Sequence, residues 1–496
     1  MKKVWILLLL LACICTFAAC DSGEDLISDG VFFYSLSLEY DGYILDSVKD
    51  ETSRELSIPE SFQGKPVKVI GDAAFVCMTQ IEKVTLPDSI EYIEEYAFQK
   101  CTTLKTVVFP KNLKAIDEAA FTGCTSLESV IIPDGSSTLE IGDCAFSDCT
   151  SLQTVSLPKQ MDSIGRHAFS SCTSLQSLSM PTQMHSLGEG AFMYCTSLSS
   201  LTVPEGVYKV CENLCSGSSV TSITLPNSLA RIDGFYNPVP GGFSECKNLQ
   251  EIRVGAENPY FSCVDGVLYS EDGKTLIQYP SCLPGESFAV PETVKNIANN
   301  AFHSSQNLVV IQLPVLLENI GESAFEGCQR LAAIEIPHGI SYIEGSTFAY
   351  CAALTEVTLP DSVKKLCAGA FAYCTALESI ALPESIISIG DSVFLGCTAL
   401  KEINIPSRVT RIACFSGCTA LEKIVLPDAV TRIALYAFRD CTSLKEINIP
   451  EKVQFIDKGA FYGCTALTDI YIQSGIEVDI SAFENCPKLT VHYIYS

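Results

Sequence analysis

Residues 93–116, IEEYAFQKCTTLKTVVFPKNLKAI, decide how this chain is read. Their skeleton, I-x-x-x-A-F-x-x-C-T-x-L-x-x-V-x-L-P-x-x-V-x-x-I, returns along almost the whole sequence. Phe98, Phe121, Phe146, Phe169 and Phe192 are spaced by 23, 25, 23 and 23 residues. The register resumes at Phe302 and runs through Phe325, Phe348, Phe371, Phe394, Phe415, Phe438 and Phe461 to Phe483. Sixteen of the 25 phenylalanines and sixteen of the 23 prolines each fall in one slot, which a random sequence does not produce. A period of this length marks units that cannot bury their apolar face alone and must stack.

The physics of one unit is legible at Leu354–Pro360, LTEVTLP. Val357 and Leu359 alternate with polar neighbours, so a short strand turns both to one face. Pro360 then ends it, because proline cannot donate to a sheet ladder. The segments before each Phe, such as GDSVF from Gly390 and GEGAF from Gly188, are too short for a stable α-helix and read as a helical or 3₁₀ turn. The combination of the Leu-x-x-Val-x-Leu-Pro strand with the Ala-Phe-x-x-Cys turn resembles the BspA-like (treponemal-type) leucine-rich repeats of bacterial surface proteins, over residues 56–490. One departure from ordinary leucine-rich repeats is visible: Ser362 and Ala429 stand where their Asn/Cys ladder follows the strand, and the Cys ladder here precedes it. The expected fold is an α/β solenoid of short parallel strands joined by helical or 3₁₀ turns. As a leucine-rich-repeat superhelix it would have about eighteen rungs and, at ~4.8 Å per rung, a length of about 80 Å. The resemblance implies a curved parallel sheet and a role in surface attachment or ligand capture.

Flanking segments divide the chain further. Residues 1–20 combine a basic start (Met1-Lys2-Lys3), an apolar run from Val4 to Ile14 and Phe17-Ala18-Ala19-Cys20. Eleven apolar residues are too few to span a bilayer but suit an export signal. The last four resemble a bacterial lipoprotein lipobox, which implies that Cys20 is lipidated; an ordinary cleaved signal is the alternative. Residues 21–30 form a polar tether, and 31–58 an N-terminal β cap with a hairpin signal at Asp41-Gly42. Repeats occupy 59–255 and 291–496, the latter ending in a strand at TVHYIY. Between them, 256–290 reads as a β-hairpin insertion, turning at Asp272-Gly273 and expected to project from the solenoid.

With 32 Lys+Arg against 58 Asp+Glu, the formal charge is −26. That balance excludes a phosphate-tracking nucleic-acid binder and an electrostatic association with anionic lipid, so membrane contact would run only through an N-terminal lipid. Twenty-two of the 25 cysteines lie beyond residue 20, and fourteen of these follow the periodic Phe by three residues. Cysteine is among the most buried residue types, and the parallel Cβ vectors of adjacent rungs suit a disulfide poorly, so the ladder reads as buried thiols. One pair stands apart. With a two-residue turn at Asp272-Gly273, Cys263 faces Cys282 and could form a disulfide; a three-residue loop spoils that register. Cys211-x-x-x-Cys215 and Cys414-x-x-x-Cys418 have no histidine to complete a zinc set.

The five histidines, His167, His185, His303, His338 and His492, occupy different repeat slots. No metalloprotease, nucleophile-elbow, P-loop or dinucleotide motif is present. The expectation is therefore a non-enzyme with no cofactor and no metal. If the sheet lines the inner curve, its outward column is Thr85, Val108, Ile131, Ser156, Ser179, Thr202, Thr224 and Arg253, then Gln312, Glu335, Thr358, Ala381, Asn404, Val425, Asn448 and Tyr471. Thr202, Thr224, Arg253, Asn404, Asn448 and Tyr471 are the candidate ligand-binding residues, Arg and Tyr because they are enriched at hot spots. The expected protein is a monomeric, lipid-anchored adhesin that binds a host or neighbouring-cell surface protein. A glycan-capturing module of a nutrient system and a passive envelope spacer are the alternatives.

Overall fold

A computed structural model describes residues 26–50, 52–135, 138–211, 213–233, 243 and 246–494. The expected export signal and the expected lipidation at Cys20 fall outside the described residues, as does the expected tether up to residue 25. Each repeat contributes two short strands. The Val-x-Leu pattern builds a front sheet, in which Lys83–Thr85, Thr106–Val108, Ser129–Ile131, Thr154–Ser156 and Ser177–Ser179 pair in parallel. The closing x-Ile of the skeleton builds a back sheet, with Lys65–Ile70, Tyr92–Ile93, Ala115–Ile116 and Leu139–Ile141 in parallel. Equivalent residues face one another, Val84 opposite Val107 and Ile93 opposite Ile116. The solenoid has about nineteen turns, close to the expected eighteen.

No helix of any kind occurs among the described residues, which corrects the expected helical turns. Around Phe98 the amides alternate between two destinations. Ala97, Gln99 and Cys101 donate back to Glu94, Tyr96 and Phe98 at 3.3, 2.8 and 3.1 Å, each closing a turn. Phe98 and Lys100 donate onward to Ala120 and Thr122 of the next rung at 2.7 and 2.8 Å. A helix would consume every amide within its own segment, leaving nothing to bind the neighbour. The alternation needs left-handed residues on both sides of the Phe, Tyr96 at φ 56° and Lys100 at φ 58°. Each costs roughly 1–2 kcal/mol, offset by the bonds between rungs.

Stacking puts like on like inside. Phe98 and Phe121 lie 4.8 Å apart with rings 5° from parallel, and the ladder continues through Phe461–Phe483 at 5.4 Å. Thirteen ladder thiols, from Cys101 to Cys486, each donate to the carbonyl of the preceding rung's Phe, as Cys124 does to Phe98 at 3.1 Å. Most described cysteines are free thiols. The exception is a disulfide between Cys215, which stands in a Phe slot, and Cys246 in the Cys slot of the next rung, with Cα atoms 5.8 Å apart.

At the N-terminus the antiparallel pair Phe32–Ser37 and Gly42–Val48 joins the edge of the back sheet through Lys65–Ile70. Tyr34 is buried there and stacks on Phe62 at 4.3 Å, closing the first rung. The central insertion does not project. Phe261–Val264, Val267–Ser270 and Thr275–Gln278 form an antiparallel meander whose last strand continues the back sheet in parallel with Asn296–Ile297. Its side chains separate two cores, Leu268 and Ile277 facing the N-terminal one and Val267, Tyr269, Leu276 and Tyr279 the C-terminal one. Tyr279 takes the Phe slot and stacks on Phe302 at 5.0 Å. Asn258, also buried, anchors the insertion: its amide donates to Pro226 and Leu229 carbonyls, both at 2.9 Å, and its oxygen accepts from Tyr260 and Phe261.

The same meander overturns the Cys263–Cys282 pairing. Asp265-Gly266, both with left-handed φ, is a tight turn that places Cys263 opposite Leu268. Cys263 therefore sits one strand away from Thr275–Gln278, the strand that leads to Cys282. Both thiols are free and donate elsewhere, Cys263 to the Ile252 carbonyl at 2.7 Å and Cys282 to that of Lys247 at 3.2 Å.

Candidate functional site

The outward column of the front sheet is on the surface, because strand alternation turns Val and Leu in and leaves the residue between them out. Thr202, Thr224 and Arg253 are direct neighbours, paired across Ser200–Thr202, Ser222–Leu225 and Glu251–Val254. Arg253 is not a free contact group: Nε and Nη2 fork onto the two carboxylate oxygens of Glu251 at 2.8 and 2.9 Å. Such an exposed pair is worth no more than about 1 kcal/mol, so an incoming carboxylate competes for it readily.

Farther along, Asn404 is exposed. Asn448 is spent within the fold, its oxygen accepting from Leu426 N at 2.7 Å and its amide donating to Leu426 O at 2.8 Å. The asparagine thus acts as a rung-to-rung clamp while remaining exposed. Tyr471 does not stand alone. His492 is its register partner and lies over its ring at 4.7 Å, 15° from parallel. His492 Nε2 is 2.8 Å from Asp469 Oδ1, and that contact, with Thr468, holds the Asp469 carboxyl below its usual range. Sequence reading missed His492 and Asp469, although carrying the Val-x slot into TVHYIY would have added His492 to the column.

Both sheets carry charge on their outward faces. On the front sheet Glu356, Glu402, Lys423, Glu446 and Asp469, each just before a buried or half-buried Val or Ile, are exposed. The column that follows the Val or Ile is the less charged of its two. In the front column only Arg253 and Glu335 are charged, while Val108, Ile131, Val425 and Tyr471 are 43, 56, 62 and 56% exposed. The back sheet carries Lys365, Arg411, Arg432 and Glu477. Arg432 rests on Phe455 at 5.2 Å and forks onto Asp457 at 2.8 and 3.0 Å. Among the described residues no cluster of three or more His, Cys, Asp or Glu is arranged to hold a metal ion, and no helix is long and apolar enough to cross a membrane.

Comparisons place this architecture among known proteins. A leucine-rich repeat protein from Bacteroides ovatus superposes with a TM-score of 0.51 at 22% identity, covering 95% of this chain and 100% of that one. A leucine rich cell surface protein from Faecalibacterium prausnitzii gives 0.40 at 24% identity, covering 95% of each chain. The pneumococcal vaccine antigen PcpA gives 0.44 at 20%, covering 95% of this chain and 99% of that one. No curated protein sequence matches. The Bacteroides structure supports the leucine-rich-repeat fold. The family described as "BspA type Leucine rich repeat region" matches residues 52–140, 135–250, 278–381 and 364–490, nearly the whole repeat body. The chain is a member of the BspA-type leucine-rich-repeat family.

Proposed function

We propose that this protein is a lipid-anchored surface adhesin whose front sheet binds a protein partner. The observation that carries this reading is one column of the front sheet, the residue that follows each buried Val or Ile. The front column is long, nearly uncharged and studded with exposed Val108, Ile131, Val425 and Tyr471, in a chain of net charge −26. Such a column, flanked on the same sheet by the exposed charges of Glu356, Glu402, Lys423 and Glu446, suits a partner with apolar anchors and a polar rim. Anchoring would run through Cys20, and the short tether would hold the repeat body close to its membrane.

A glycan is the weaker occupant of this face. Stacking on sugars favours several open aromatic faces, and Tyr471, stacked on one side by His492, is the one Phe, Tyr or Trp among the sixteen column positions from Thr85 to Tyr471. The test is binding of the full chain to immobilised matrix proteins, cell-surface proteins and neutral oligosaccharides. The reading expects saturable binding to a protein, lost when Thr202, Thr224 and Arg253 are all changed to Glu. Binding to oligosaccharides alone would replace it with the glycan reading, and silence throughout would leave a structural spacer.

A further inference from the structure

The back sheet carries a feature that the adhesin reading does not use. Phe394 and Phe415 are 21 residues apart, against the usual 23, because Ile412-Ala413-Cys414-Phe415 lacks two residues between strand and Phe. The bonds from the preceding rung persist, Ser392 and Phe394 donating to Ala413 and Cys414 at 2.9 and 3.0 Å, but the turn that precedes the Phe in other rungs is missing here, with Ala413–Phe415 outside any turn. The loss falls immediately after Ile412. There the back sheet is interrupted, with Ser388–Ile389 ending one ladder and Arg411–Ile412 beginning the next. Gly390 is part of the lining, and its lack of a side chain allows a close approach to the preceding rung, where a Cβ would meet Ala368 N at 2.8 Å and Cys367 C at 2.9 Å.

The result is an open notch of about 360 Å³, within the range of small-ligand sites. Lys365 and Arg411 border it from rungs on either side of Ser388, and Asp391 is the one carboxylate in its lining. Two cations to one acid is a local reversal in a chain of net charge −26. Arg411 is in contact with Asp391, an exposed pair that holds its guanidinium over the notch at little energetic cost to a competing anion. Ser388 and Thr410 supply hydroxyls, and Ile387, 45% exposed, supplies an apolar wall.

We propose that this notch binds a hexuronic-acid unit of an acidic glycan. The sugar carboxylate meets Arg411 or Lys365, its hydroxyls meet Ser388, Thr410 and Asp391, and the C–H face of the ring lies on Ile387. Lys365 and Arg411 are two rungs apart, about 10 Å, so neighbouring acids of one oligosaccharide can engage one cation each. A hydroxyl-rich ring with a single negative group matches this mixture of donors, acceptor and apolar wall better than a compact inorganic anion, which would leave Asp391 opposed and Ile387 unused.

Calorimetric titration of the full chain with tetragalacturonate tests the proposal, with neutral galactotetraose and a glutamate-rich peptide as the other arms. Saturable tetragalacturonate binding is expected, weakened about tenfold or more by Arg411→Gln or Lys365→Gln, since loss of one charge-assisted hydrogen bond is worth roughly 1.5–3 kcal/mol. Both side chains are exposed, so the variants should keep the wild-type melting temperature. A third variant inserts Ser-Ala after Ile412 to restore the 23-residue spacing, and should abolish binding without loss of stability. No saturable binding of tetragalacturonate, equal binding of galactotetraose, tighter binding of the peptide, or unchanged affinity in all three variants would each overturn the proposal.

Discussion

The thiol of Cys101 lies 2.9 Å from the carbonyl oxygen of Phe75 in the preceding rung, so the cysteine ladder is a ladder of S–H···O bonds and not of disulfides. The Phe carbonyl already accepts a backbone amide, as Phe98 does from Cys101, and the thiol takes its second lone pair. Serine in the same slot behaves differently: Ser305 turns to Phe302 in its own rung at 2.7 Å. Cys351→Ala should therefore cost about 1–3 kcal/mol through a lost contact and a small cavity, and Cys351→Ser less than that. The shift in urea midpoint of the C-terminal core measures both.

Burial pushes the thiols of Cys101, Cys195, Cys328, Cys397 and Cys441 up to about 12. The unfolded chain releases those protons near pH 9, its ordinary thiol value, while the folded chain still holds them. Stability is thus full below pH 9 and falls as pH rises toward 12. Melting temperatures should drop steeply across that window, and replacing ladder cysteines by alanine should flatten the drop.

Tyr279 in the Phe slot offers a packing test. Tyr279→Phe keeps the ring over Phe302 and should change stability by less than about 1 kcal/mol, while Tyr279→Ala breaks the ladder beside the insertion and should cost about 3–5 kcal/mol. Thermal unfolding of the two variants separates the ring from its hydroxyl.

Cys215–Cys246 closes a sequence separation of 31 residues, which the chain-entropy account values at about 3–4 kcal/mol. Peptide mapping without reductant should recover this link and no Cys263–Cys282 peptide. Reductant should lower the unfolding midpoint of the N-terminal core, and should leave Cys215→Ala/Cys246→Ala unaffected.

What was legible in the sequence follows from how each feature is encoded. The Phe, Pro and Cys slots are written in residue identity, so the stacking, the front sheet and the buried thiols could be read directly. The back sheet was not, because strands such as Tyr92–Ile93 are two residues long and show no alternation. Turn geometry was misread because helix and turn differ here only in where alternate amides go, a property of the neighbouring rung. At the insertion, the Asp265-Gly266 turn was present in FSCVDGVLYS, and without it Cys263 was placed on the wrong ladder. The front column was legible by alternation, but the fates of Arg253 and Asn448 depended on Glu251 and Leu426, which alternation does not report.

The central claim, that the front face is the protein-binding surface, is tested most directly by measuring partner affinity in two variants side by side. One carries Thr202→Glu, Thr224→Glu and Arg253→Glu, and the other Lys365→Gln and Arg411→Gln on the back. Binding to the protein ligand should be lost in the first and kept in the second. Undiminished protein binding by the front-face variant would contradict the account.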